Sequence, residues 1–196
     1  IIYSLSFVTK YLKHRAEILF HIGYATFAVD LYGKESRPKT IEDNKAMTKS
    51  LYDDRVLMRK LLDEGLEQAK KEGANVAKAV GVGYCFGGEA LMEMAKAGAD
   101  MKGFVTFHGS FKEPKGQDYS KVKGEVVVLH GTADKAVSMS TFADLAVELE
   151  SAKIPHEMHT FSGAPHAFTV FGSARYHKEA DEKSWAVFDE YLKKTF

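Results

Sequence analysis

Apolar residues along this chain fall into two alternating spacings, and each spacing predicts a different element. Short, largely apolar runs predict strands at Ala25–Asp30, Ala77–Gly83, Gly103–His108 and Val126–His130, and the more polar His156–Phe161 can form another. Between them, apolar positions return every three or four residues. Leu12, Ala16, Leu19 and Phe20 do so across Thr9–His21, and Val56, Leu57, Lys60, Leu61 and Leu66 trace an inner stripe across Asp53–Lys71, with Met58 as core filler. Glu89–Ala97, Ser138–Ala152 and Ala180–Lys194 continue as helices, while the polar stretch Glu35–Met47 reads as a loop leading into a helix near a site mouth. Strands and helices in alternation are the pattern of a mostly parallel sheet flanked by helices on both faces. The expectation is one α/β domain over residues 1–196, without repeat, linker or low-complexity segment.

One junction in that pattern carries chemistry. Gly83-Tyr84-Cys85-Phe86-Gly87-Gly88 joins a strand to a helix with glycines two before and two after the central residue, the form of a nucleophile elbow. The turn forces its apex into a strained conformation where neighbouring Cβ atoms would clash. The apex is Cys85, the chain's one cysteine. It can be read as a small buried hydrophobe, as a redox-sensing thiol or as a catalytic thiolate. The glycine frame favours the nucleophile, since a packing cysteine needs no glycines, and the following helix N-terminus favours a thiolate.

A nucleophile needs a base and a group that orients the base. Asp134 follows the run Glu125–Gly131, and His166 lies in the loop after His156–Phe161, so both sit just past a strand's C-terminal end, as Cys85 does. Ligands bind at that edge of an open parallel sheet. Nucleophile, acid and histidine also occur in the order of α/β-hydrolases. Each has a plainer reading: Asp134 as a turn residue or the cap of a helix starting near Val137, His166 as a loop histidine bonded to backbone. His108 and His130 end strands too and read as sheet-edge packing, with His130 the weaker alternative base. The remaining histidines, His14, His21, His156, His159 and His177, read as surface residues. No pair has zinc-ligand spacing and there is no HExxH, so neither a metal nor a cofactor is expected.

These residues resemble the dienelactone hydrolase family, whose hallmarks include a cysteine elbow of the form GYCxGG. The similar stretches are Ala25–Gly33, Gly81–Gly88, Gly103–Gly109, Val127–Asp134 and Gly163–Phe168, in the family's order across nearly the whole chain. The resemblance implies an α/β-hydrolase fold and a Cys85–His166–Asp134 triad. It also implies an oxyanion hole from the backbone N–H of Phe86 and a second N–H near Leu5. Two positions depart from the pattern: Ser4 stands where the family has a glutamate and Tyr3 where it has a histidine. In the founding enzyme that glutamate is thought to take the resting thiol's proton when substrate arrives. No counterpart of the family's carboxylate-binding arginine is found; Arg37, Lys39, Lys45, Lys49 and Arg55 read as solvated.

Composition narrows the partners. Charges balance at 27 basic against 27 acidic residues, so no field draws nucleic acid. No run approaches the ~20 apolar residues of a membrane span, and one cysteine excludes an intrachain disulfide, in keeping with a cytoplasmic location. The chain begins inside a strand without methionine, so the fold's first strands are expected to be missing from it. The expected activity is hydrolysis of a small, weakly polar ester or lactone through a thioester on Cys85, with Tyr84 and Phe168 walling the pocket. The alternative is a non-catalytic or redox-sensing thiol protein on the same fold; oligomeric state stays open.

Overall fold

In the computed structural model, residues 10–196 are described except 34, 35, 37, 112, 113 and 115. The residues expected around the second oxyanion donor, Leu5 with Tyr3 and Ser4, lie outside the described residues, as do the strands expected ahead of Ile1. Four strands, β1 (Val80–Tyr84), β2 (Gly103–Phe107), β3 (Glu125–Gly131) and β4 (His156–Phe161), pair in chain order, every pair parallel. Val82, Val105, Val127 and Glu157 lie side by side in register. The helices are α1 (Lys10–His21), α2 (Ile41–Asp53), α3 (Arg55–Lys71), α4 (Phe86–Lys96), α5 (Met139–Ser151) and α6 (Lys178–Thr195).

Alternation along the strands assigns the two faces. A Cβ at Gly81 would meet Leu91 of α4, whereas one at Gly103 would meet Tyr191 of α6, and these glycines occupy adjacent, opposite-facing registers. Phe107, two residues on from Val105, packs edge-on against Phe188 of α6 at 5.7 Å. Helices α4 and α6 therefore cover opposite faces. Strands β1 to β3 are buried on both faces, which is why their sequences run without polar alternation, whereas β4, HEMHTF, is the less buried edge strand.

The helical stripes needed correction. Phe20 and Val56 are 68% and 80% exposed, and the buried positions of α3 are Met58, Leu62 and Ala69. Gly65 completes that stripe by letting Val29 approach. Arg55 and Arg59 rotate the stripe by reaching for Glu89 and Glu93 of α4, so Arg55 is held in buried ion pairs rather than solvated. The polar stretch before α3 is largely helix α2, opened by a Thr40–Asp43 capping box. Asp54 then breaks α2 from α3 and caps Leu57 N–H at 2.9 Å. Residues 25–30, expected to be a strand, pair with no described strand. An apolar cavity of about 530 Å³ is lined by Tyr24, Phe27 and Val29 together with Val80 and Val82 of β1. A strand is defined by its ladder, and this segment has no described neighbour to make one.

Candidate active site

The elbow closes where β1 runs into α4. Cys85 holds φ 52° and ψ −123°, a region that side-chain-bearing residues rarely adopt. Its N–H is tied to the Phe107 carbonyl at 3.1 Å. A Cβ at Gly83 would lie 2.2 Å from the Gly87 carbonyl oxygen, and one at Gly88 2.3 Å from Thr106 Oγ1. Both glycines are thus required by close approach. Phe86 begins α4, so its N–H belongs to the helix's first turn, beside the sulfur.

Asp134 and His166 meet. His166 Nδ1 lies 2.8 Å from Asp134 Oδ2, and the carboxylate's other oxygen accepts from the N–H groups of Ala136 at 2.8 Å and Val137 at 2.9 Å. The two readings of Asp134 are compatible, because each oxygen serves one of them. The helix it was expected to cap instead begins at Met139 with Ser138 as its cap. A backbone bond from Ala133 N–H to the Ala164 carbonyl, 3.0 Å, ties the two loops together. Burial alone raises the Asp134 pKa, but the His166 bond and the two N–H groups bring it below the usual carboxylate range.

The third group at the sulfur is His108. Its Nδ1 lies 3.3 Å from Cys85 Sγ, and its Nε2 lies 2.8 Å from Thr169 Oγ1. This corrects the packing reading: the side chain is fully buried, but against the Cys85 sulfur. Phe107 pairs with Leu129 and Tyr84 with Phe107, so the residue after β2 necessarily emerges beside the residue after β1. That adjacency is the signal by which the Phe107-His108-Gly109 motif is recognisable as part of the site. The His166 ring also reaches the sulfur, its centroid standing 5.5 Å from that of His108. Ligand atoms of Cys85, His108 and His166 lie within 4.8 Å of one another, a grouping that local sequence spacing hides because each residue ends a different strand or loop.

The electrostatics follow from the contacts. Burial opposes ionisation of Cys85, yet His108 first and His166 next, by charge and hydrogen bond, lower the thiol to about 6. Burial likewise opposes the charge on His166, but Asp134 and the Cys85 sulfur raise it to about 10. Each group thus favours the charged form of the other, sulfur as thiolate and His166 as imidazolium.

Behind His108 runs a polar chain. Thr169 Oγ1 bonds Tyr11 Oη at 2.6 Å, Arg15 Nε donates to Tyr11 Oη at 3.3 Å, and Arg15 pairs with buried Asp181 of α6. Tyr84 and Phe168, expected to wall an open pocket, are instead fully buried. Tyr84 stacks on Phe107 at 4.7 Å, and Phe168 backs His108 edge-on at 5.2 Å. Both side chains pack rather than line an opening.

His130 does pack, between Phe142 and Phe111 with Nε2 on the Val137 carbonyl. His14, His21, His156, His159 and His177 lie away from the sulfur, in local contacts such as His156 with the Ile154 carbonyl and His159 with Glu157. No described helix is long and apolar enough to cross a membrane.

A sequence model described as the dienelactone hydrolase family matches residues 7–196. An Escherichia coli O157:H7 protein named "Putative carboxymethylenebutenolidase" is 24% identical over 183 residues, which cover 87% of this chain and 67% of that protein. A hydrolase of Aspergillus violaceofuscus is 28% identical over 121 residues, covering 58% of this chain and 48% of the relative. Among solved structures, a dienelactone hydrolase-like promiscuous phosphotriesterase from metagenomic libraries superposes with a TM-score of 0.91 at 25% identity, covering all of this chain and 84% of its own.

Proposed function

Because this chain belongs to the dienelactone hydrolase family and with it to the ester and lactone hydrolases, we propose that it cleaves a small ester or lactone by acyl transfer to Cys85. The supporting observation is the convergence of a low-pKa thiol with an imidazole that a carboxylate orients. The thiolate sulfur attacks the carbonyl carbon, and the carbonyl π electrons move onto oxygen. The Phe86 N–H at the start of α4 meets that oxyanion, a donor of the kind worth about 3–4 kcal/mol in the barrier. The second donor, expected near Leu5, remains part of this reading. His166, as imidazolium, gives its proton to the departing alkoxide while Asp134 keeps its tautomer. The neutral ring then takes a proton from water, which attacks the thioester and releases the acid with Cys85 again a thiolate.

His108 answers the absence of the family glutamate at Ser4. Its Nδ1, 3.3 Å from the sulfur, favours the thiolate, leaving His166 free to shuttle the proton. A sensing thiol would need the depressed pKa, but not an Asp134-oriented imidazole; that difference favours turnover over sensing. The substrate is a small molecule, and a cytoplasmic location with no nucleic-acid partner fits the balanced charge.

A 4-nitrophenyl ester assay separates the readings. Wild-type protein should show a burst followed by steady turnover, and Cys85→Ser should lose both. No turnover over a broad panel of esters and lactones would leave the sensing thiol as the function. Activity should hold between about pH 6, where the thiolate forms, and about pH 10, where the imidazolium is lost.

A further inference from the structure

Two imidazoles on one thiolate are more than acyl transfer requires. We infer that Cys85, His108 and His166 form a tridentate site for a borderline-soft divalent cation such as Zn²⁺, and that its occupation reversibly silences the nucleophile. The donor atoms lie within 4.8 Å of one another, so small ring movements bring them onto one ion. The donor set, one thiolate and two imidazoles, suits zinc and discriminates against Mg²⁺ and Ca²⁺, which take oxygen ligands. Three protein ligands leave one tetrahedral position open, on the side where His166 is partly exposed.

The surroundings of the rings carry the inference further than the donors alone. In metal sites the far nitrogen of each ligating histidine is held by an oxygen, which fixes tautomer and orientation. Both rings here meet that condition. Asp134 Oδ2 holds His166 Nδ1, leaving Nε2 for the ion, and Thr169 Oγ1 holds His108 Nε2, so that Nδ1, which accepts from the Cys85 N–H at 3.3 Å, faces the sulfur and exchanges that bond for the ion. Thr169 is itself fixed by Tyr11, so the support extends a second bond outward.

On binding, the ion forms bonds to Sγ, His108 Nδ1 and His166 Nε2, and the imidazolium proton leaves to solvent. The sulfur's lone pair is then committed to the ion. His166 loses the nitrogen that carries the shuttled proton. Hydrolysis stops until the ion is withdrawn.

The test is titration of the chelator-treated full chain with Co²⁺ and then Zn²⁺. Expected are a near-ultraviolet sulfur-to-cobalt charge-transfer band with tetrahedral visible bands, saturating at one ion per chain and displaced by Zn²⁺. Cys85→Ser should abolish the charge-transfer band. Thr169→Val should weaken binding about 10–100-fold, the usual effect of losing an outer-shell partner, and His108→Gln should weaken it more. Equal affinity in wild type and His108→Gln would overturn the tridentate site, even if both still bind through Cys85 and His166. So would the absence of a charge-transfer band in a folded, ester-active protein. A band in a protein that turns over no ester supports the metal site while refuting the proposed hydrolysis, so the two readings fail separately.

Discussion

His108 and His130 end neighbouring parallel strands, each follows an apolar run and precedes a glycine, and both are fully buried. Their surroundings differ completely. His108 leaves β2 with φ 40°, which swings its ring onto Cys85, and both its nitrogens have partners. His130 remains within β3, stacked on Phe142 at 5.4 Å. Its Nε2 meets one carbonyl, and its Nδ1 finds no partner among the described residues. Burial accordingly pushes the His130 pKa down, disfavouring charge. Equal burial thus yields a ring that favours the Cys85 thiolate after one strand and a packing ring near the end of the next. The difference lies in which polar atoms each strand's exit brings near.

Substitutions sharpen this contrast. His108→Gln should cost the most, lowering kcat/KM about 30-fold at pH 7, the share of thiolate lost when the thiol returns from about 6 toward about 8.5. A smaller shift should accompany it: the acid limb of the pH profile should move from about 6 toward the ordinary thiol value of about 8.5. The sign follows from His108 favouring the thiolate, so its removal returns the proton to sulfur. A limb that stays near 6 would assign the lowered thiol to His166 alone. His130→Leu should leave kcat/KM and both limbs in place. It should cost about 1–3 kcal/mol in denaturant unfolding, because the Val137 carbonyl loses its buried donor. An activity loss in His130→Leu without a stability loss would break the contrast.

The contrast also marks what sequence conveys. Cys85 was legible because its strain demands glycines at fixed offsets, and β1 to β3 were legible because burial on both faces leaves unbroken apolar runs; β4, HEMHTF, carried a weaker pattern. Asp134 and His166 were legible as strand-end polar residues in the right order. His108 carried the same local signature as His130, and only strand adjacency with a left-handed exit separates them. The inner stripe of α3 misread for a related reason. Val56 and Leu57 fit helical spacing, but the pull of Arg55 and Arg59 on Glu89 and Glu93 decided which face turned inward. Residues 25–30 carry the apolar run of a strand but pair with no described strand.

The polar chain behind His108 ends on Asp181, in the first turn of the C-terminal helix, and passes through Tyr11 and Arg15 of α1. The reactive corner is therefore braced by both extremities of the described fold. A protease nick or a truncation that frees α6 would unseat Arg15, slacken Thr169 and be felt at the sulfur, although no catalytic atom had been cut away.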